Sequence, residues 1–478
     1  MKPNIPTLLR SPAAQKIWSK PRSYLTQYTA KLPDEDKQNI GSALLLIGSV
    51  IIASATLFFH NKAFAQTNQA AASAVALEQL GESEKPDIEK DRKRRLDAID
   101  EEVSYLESML DLPFATINVD GLIREGDSHS ALPAIAKRLA LFGDADSSYC
   151  QQAETADASS ADTSASCVHD EISVQNLKSF QRRHGLAQDG VIGPKTLDML
   201  NLSPEDRIVR LLLSRERMAD FDGFNDDEYI FVNIPEYRLY YVVDDQPVFR
   251  SKVIVGKPSW ATPVFSDELE RFVVNPEWRI PTSITTKEIA GKVADDPDYL
   301  ADRNMEIRKD SYLDTETIDP NTINWDEITP YDFDYFIVQK AGPKNPLGQV
   351  KYLFPNENAV YIHDTQATSL FNKNRRAFSH GCIRIEKPFE LALSLANRHD
   401  RKTAERIFDE TLKRGETHTV NLKNPIPVHM VYWTAWVTPK GERHFRNDIY
   451  SRDGNDLKRV RTAFRQSLDE RTEQIAGR

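Results

Sequence analysis

The sequence predicts a multidomain α+β protein: an N-terminal transmembrane or signal helix, a small helical module, and a mainly-β, sandwich-like domain with an inserted subdomain. Three observations predict it. The chain has 478 residues, 40% of them hydrophobic, which is more than one ordinary core holds. From Tyr229 onward, β-branched and aromatic residues alternate at period two in short runs bounded by turn residues: Tyr229–Asn233, Arg238–Val243, Phe249–Val255, Arg271–Asn275 and Tyr335–Gln339. Upstream, short amphipathic helices joined by glycine turns replace that pattern.

Residues 1–39 carry seven Lys/Arg against three acids, and residues 40–59 hold no charge at all. Twenty helical residues span roughly the 30 Å of a hydrocarbon core. The basic end is therefore expected in the cytoplasm and everything after Phe59 outside it. Ala63-Phe64-Ala65 has the form of a signal-peptidase site, so the helix is either a retained anchor or removed after Ala65.

Residues 60–121 read as a linker followed by a helix from Pro86 to Leu110, with Leu96, Ile99, Val103, Leu106 and Leu110 along one stripe. Two heptads are too few for a coiled coil, and docking on a neighbouring domain is expected. Residues 122–202 form the helical module, with helices at Ala131–Phe142, Val174–His184 and Lys195–Leu200 and a Ser/Ala/Asp-rich insertion at 145–166. Arg182, Arg183 and His184 read as a solvated helix face rather than as ligand contacts. Residues 203–228 hold a connecting helix, capped by Ser203 with Pro204 in its first turn.

Residues 229–453 are the β domain. Its strand spacing breaks over 282–334, where a helical run (Thr285–Val293) and the aromatics Trp325, Tyr331, Phe333 and Tyr335 occur; this is too long for a plain loop. A helix (Lys387–Asn397), a buried strand (Val428–Val437) and a charged helical tail (454–478) complete the chain.

A net charge of −11 without a clustered basic face excludes nucleic acid as a partner. There are three cysteines. In an exported chain Cys150 and Cys167, which bracket the insertion, are the expected pair, the alternative being that both stay reduced. Such a bridge would contribute about 3 kcal/mol, and it leaves the Cys382 thiol free.

That thiol lies in Ser379-His380-Gly381-Cys382-Ile383-Arg384, downstream of Tyr361-Ile362-His363-Asp364-Thr365. A thiol nucleophile needs a base and a donor-rich cradle for an oxyanion. His363, on an apolar run, is the candidate base. Asp364, its neighbour on a strand, points to the opposite face, so a backbone carbonyl is the expected partner of that imidazole. Gly381 allows close backbone approach, and Tyr361 offers a hydroxyl. Ser379 and His380 read as loop-shaping, with His380 as an alternative base. Arg384 suits a substrate carboxylate, or else pairs with Glu386. No CxxC or HExxH accompanies these residues, so no metal or cofactor is expected; no Gly-x-Ser-x-Gly supports a serine hydrolase.

The spacing from His363 to the Ser-His-Gly-Cys-x-Arg motif resembles the signature of the L,D-transpeptidase family, bacterial cysteine enzymes that cross-link peptidoglycan. Val232-Asn233-Ile234-Pro235, Thr262-Pro263-Val264-Phe265 and Tyr352-Leu353-Phe354-Pro355-Asn356 resemble its larger members, and "LKSFQRRHGLAQDGVIGPKTLDMLN" resembles the small peptidoglycan-binding module. The resemblance implies a periplasmic, carbapenem-sensitive enzyme. Its donor and acceptor partners would be peptidoglycan stem peptides, with other cell-wall synthases as candidate partners. It implies that residues 282–334 form a lid and that Trp325 is a substrate-facing aromatic. Two alternatives share the site: an L,D-carboxypeptidase, or a transferase attaching an envelope protein. A third is an inactive peptidoglycan-binding scaffold.

Overall fold

The computed structural model describes residues 88–145, 167–309, 316–329, 333–396, 401–438 and 440–476. The apolar run 40–59, Cys150, Tyr331 and all but the first residue of the 145–166 insertion lie outside the described residues. No helix among the described residues is long and apolar enough to cross a membrane.

Helix α1 (Ile88–Glu107) docks as its apolar stripe requires: Ile99 and Leu106 are fully buried. They pack against α5 (Pro204–Ala219), where Ile208, Val209 and Leu211 are equally buried. Asp100 accepts two hydrogen bonds from Arg215 across this contact, at 2.6 and 2.8 Å. The start of α5 is a capping box, with Ser203 Oγ accepting from the Asp206 N–H at 3.1 Å.

The module consists of α2 (Leu132–Leu141), α3 (Glu171–Arg183) and α4 (Pro194–Leu200) around Leu132, Ile135, Leu177, Phe180 and Leu200. The basic run at the end of α3 is not a solvated face. Arg183 bonds Asp144 at 2.9 Å and the Arg443 carbonyl at 2.8 Å, and Arg182 reaches Glu442 at 3.0 Å. His184 is buried, stacked on Phe180 at 3.8 Å. These residues clamp the module to the β domain because a buried cation must be fully hydrogen-bonded.

The β domain comprises β1 (Glu228–Asn233), β2 (Arg238–Val243), β3 (Gln246–Gly256), β4 (Phe265–Val274), β9 (Val350–Leu353), β10 (Ile362–His363), β11 (Ala377–Ser379), β12 (Ile383–Ile385) and β13 (His418–Val431). They form one nine-stranded sheet in the order β11-β3-β12-β10-β9-β4-β13-β1-β2. An additional β2–β3 pairing closes it. The expected sandwich-like arrangement is thus corrected to a sheet closed on itself, with β11 appended to the ring; closure removes the free edges. Its interior is apolar, including Ile230, Val253, Leu269, Phe272, Tyr352, Ile362 and Ile383. Helices α6 (Pro388–Ala396) and α7 (Arg401–Arg414, absent from the sequence reading) cover one side, with Phe408 stacked on Phe272 at 5.8 Å.

The expected strand Val428–Val437 breaks after Val431, because Asn233 Oδ1 captures the Trp433 N–H at 3.1 Å. The chain then forms a separate hairpin of β14 (Ala435–Val437) and β15 (Arg443–Phe445). The tail is α8 (Gly454–Ala476), which packs on α5 through Arg461 and Arg465 against Glu205 and Asp206.

The inserted subdomain is wider than 282–334. It has its own four-stranded sheet, in the order β5-β8-β6-β7: β5 (Trp278–Arg279), β8 (Phe336–Gln339), β6 (Met305–Arg308) and β7 (Thr317–Ile318). Strand β8, expected in the main domain, belongs here because both β5 and β6 pair with it. The helical run Thr282–Asp295 contains a π-helical stretch at Thr285–Ile289, a distortion that often marks functional sites.

Candidate active site

Three short strands carry the site. Strand β12 runs parallel to β10 with His363 opposite Arg384, and β10 runs antiparallel to β9 with His363 opposite Lys351. Side chains alternate between sheet faces, and residues directly opposite share one. Ile362, Ile383 and Tyr352 therefore point into the core, where each is fully buried. Tyr361, His363, Lys351, Cys382 and Arg384 share the other face.

Cys382 sits in the turn between β11 and β12 and is a free, half-buried cysteine. Two glycines make room for that turn. Gly381 has φ +113°, and a Cβ on Gly256 would lie 2.0 Å from the Trp260 carbonyl. Thr262 fastens them, accepting from the Gly256 N–H at 2.9 Å and donating to the Gly381 carbonyl at 2.8 Å. Ser379 Oγ donates to the Cys382 carbonyl at 2.6 Å and accepts from the Gly381 N–H at 3.1 Å. That bond commits the Gly381 amide to the loop.

The Cys382 thiol points toward the carbonyl of Ala359 at 3.8 Å. Ala359 has φ +51°, a left-handed conformation uncommon for alanine. Burial raises the thiol pKa above its ordinary value, opposed by hydrogen bonds from Tyr361 and by the charges of Lys351 and Arg384. The Tyr361 hydroxyl meets both Cys382 and Trp278.

His363 is buried, and its Nδ1–H donates to the Asp364 backbone carbonyl at 2.5 Å, the partner expected for it. That bond fixes the tautomer with the Nε2 lone pair free. Burial first, then the Arg384 charge, lowers the imidazole pKa to about 3. Asp364 itself turns away, accepting from the Gln349 and Thr365 amides at 2.8 and 2.7 Å.

Arg384 is not paired with Glu386, which binds Lys252 at 3.0 Å instead. Its Nε is buried without a hydrogen-bond partner among the described residues. A buried donor left open is costly unless a ligand fills it. His380 is held away from the base role, its Nε2 bonded to Glu288 of the π-helical stretch at 2.6 Å. Beside it Lys287 lies 5.0 Å from the Trp260 ring centroid. The inserted subdomain thus touches the Cys382 loop directly.

Trp325 is corrected. It belongs to the inserted subdomain's own core, 9% exposed, beside Phe333 at 6.0 Å, with its Nε1–H donated to the Pro320 carbonyl at 2.9 Å. The aromatics against the site are Trp278 and Trp260, which the sequence reading passed over. It also passed over Lys351 and Glu288. Lys351 carried one signal, a lone basic residue at an outward position of the period-two run Val350–Leu353. Cys167 is disulfide-bonded. No group of three or more metal-ligating side chains occurs among the described residues.

Residues 227–412 match the family described as "YkuD: L,D-transpeptidase catalytic domain", and residues 160–200 match "Putative peptidoglycan binding domain". A "Putative L,D-transpeptidase" of Haemophilus influenzae is 32% identical over 287 residues, 59% of this chain and 56% of the relative. The chain thus spans little more than half the length of that curated relative. A solved L,D-transpeptidase from Mycobacterium smegmatis aligns at 14% identity over 43% of this chain and 58% of its own, with a TM-score of 0.20. Another, from Stackebrandtia nassauensis, aligns at 12% identity over 66% of this chain and 96% of its own, with a TM-score of 0.23. Likenesses at these scores bear no weight. By the sequence matches, residues 227–412 are similar to the L,D-transpeptidase catalytic domain and residues 160–200 to a peptidoglycan-binding domain.

Proposed function

We propose that this chain is a peptidoglycan L,D-transpeptidase that forms 3–3 cross-links by cysteine acyl transfer. Cys382 attacks the carbonyl joining the stem peptide's diamino acid to its terminal D-alanine. The Sγ proton passes to Nε2 of His363, the oxyanion rests on the Cys382 amide and the Tyr361 hydroxyl, and the C–N bond breaks as His363 returns the proton to the departing D-alanine. The side-chain amine of a second stem peptide then attacks the thioester, giving its proton to His363 and releasing the thiolate. The reading rests on one observation above all: a free thiol, an imidazole with a free Nε2 and an Arg384 whose Nε has no hydrogen-bond partner among the described residues share one sheet face.

Peptidoglycan lies outside the cytoplasm, so the acting domains are extracytoplasmic, and residues 40–59 are proposed as the tether. Incubating the part from about Gln66 with disaccharide-tetrapeptide and weighing the products tests the reaction. Dimers lacking one D-alanine are expected. Tripeptide monomers alone make water the acceptor and the protein a carboxypeptidase.

Arg384 is assigned to a carboxylate of the donor stem. Arg384→Gln is expected to lower kcat/KM for the tetrapeptide about 10- to 100-fold, mainly through KM, as loss of a charge-assisted hydrogen bond does. An unchanged KM in steady-state assays would show that the guanidinium serves elsewhere.

A further inference from the structure

The thiol in this site has no strong proton acceptor beside it at rest. His363 is pushed down to about 3 while burial pushes the Cys382 thiol up, so neutral thiol and neutral imidazole is the resting pair. Some fixed positive charge must hold the sulfur as its proton leaves.

Strand β9 places one there. Lys351 lies opposite His363, which lies opposite Arg384, so a single row crosses three strands on the face that Cys382 shares. Its Nζ is 4.0 Å from the centroid of the Tyr361 ring, and that tyrosine's hydroxyl meets the thiol. The ammonium is half-buried and has no carboxylate partner among the described residues; the one charged neighbour that stabilises it is Cys382. A buried, unpaired lysine is rarely a packing residue.

We infer that Lys351 is the electrostatic positioning residue of the reaction proposed above, the ammonium that stabilises the Cys382 thiolate while His363 carries the proton. The S–H bond breaks, the proton goes to Nε2 of His363, and Lys351 keeps its own proton throughout. Burial lowers the Lys351 pKa to about 8, which still leaves it protonated at neutral pH. The groups acting most on the sulfur are Lys351 from β9, Tyr361 just before β10 and Arg384 from β12, with no carboxylate among them, and His363 of β10 shares their sheet face. From the nucleophile loop and the inserted subdomain, His380 and Glu288 are bonded to each other.

The test is the pH dependence of Cys382 alkylation by iodoacetamide in the full chain, followed by intact mass. Lys351→Met should raise the midpoint by about one unit or more and slow alkylation at pH 7 about tenfold; Lys351→Arg should restore both. A purely structural lysine would alter melting or kcat and leave the midpoint in place, and an unmoved midpoint in folded Lys351→Met overturns the inference. Should that variant not fold, the Lys351 amine can be titrated by NMR in wild type and in Cys382→Ser. Because coupling is reciprocal, the wild-type amine must hold its proton more tightly than the Cys382→Ser amine wherever the thiol is ionised, and identical titration curves through the alkylation midpoint are equally fatal. The inference depends on Cys382 being the nucleophile, yet alkylation needs no peptidoglycan. A shifted midpoint without cross-linked product therefore counts against the transpeptidase reading alone, and cross-linking without a shift counts against Lys351 alone.

Discussion

Cys382→Ala is expected to abolish both product classes from disaccharide-tetrapeptide, with turnover falling at least ~10³-fold, because the acyl transfer proposed above passes through its sulfur. The substitution should leave the fold intact. The thiol meets the Ala359 carbonyl at 3.8 Å and Tyr361, and the turn itself is held by Ser379, Thr262 and two glycines. Loss of activity with an unchanged melting temperature would therefore report chemistry. A carbapenem supplies an independent readout: wild type should gain the mass of one ring-opened molecule on the Cys382 peptide and the variant none. Undiminished cross-linking by Cys382→Ala would make the chain a binding scaffold for another enzyme.

The nucleophile loop was legible because its chemistry is local. Ser379, Gly381, Cys382 and Arg384 fall within six residues, and strand alternation alone puts Cys382 and Arg384 on one face. That the imidazole's partner is a backbone carbonyl rather than the Asp364 carboxylate could be read for the same reason, though not which carbonyl. What crosses between strands was not legible. Lys351 reaches the site only because β9 pairs with β10 in one register, and a slip of a single residue would have buried it in the core. Trp325 and Trp278 could not be ranked by sequence either. Which tryptophan faces the thiol depends on how the inserted subdomain folds its own core, and the Pro320 carbonyl holds Trp325 inside it. Closure of the sheet depends likewise on the β2–β3 pairing, since the same alternation of residues serves a sandwich or a barrel.

The second large effect concerns the imidazole. His363→Ala is expected to cut kcat about 10²- to 10⁴-fold, the usual contribution of a positioned acid–base group, while leaving carbapenem-independent binding of the stem peptide near wild type. The charge state of that imidazole gives a sharper check. With its pKa lowered to about 3 by burial and by Arg384, His363 is neutral across the whole working range and protonates only in strong acid. The kcat/KM profile of the free enzyme should therefore show no inflection near 6.5 from this residue. Its rise with pH should instead follow the thiol, whose pKa burial holds above the ordinary value. Removing the Arg384 charge should let the imidazole midpoint climb, since that cation is the second cause of its depression and the Asp364 carbonyl pulls the other way. Imidazole NMR shifts in wild type and in Arg384→Gln would read both statements. A wild-type imidazole midpoint above that of the thiol would mean that a thiolate–imidazolium pair preforms, and the neutral resting pair would have to be given up.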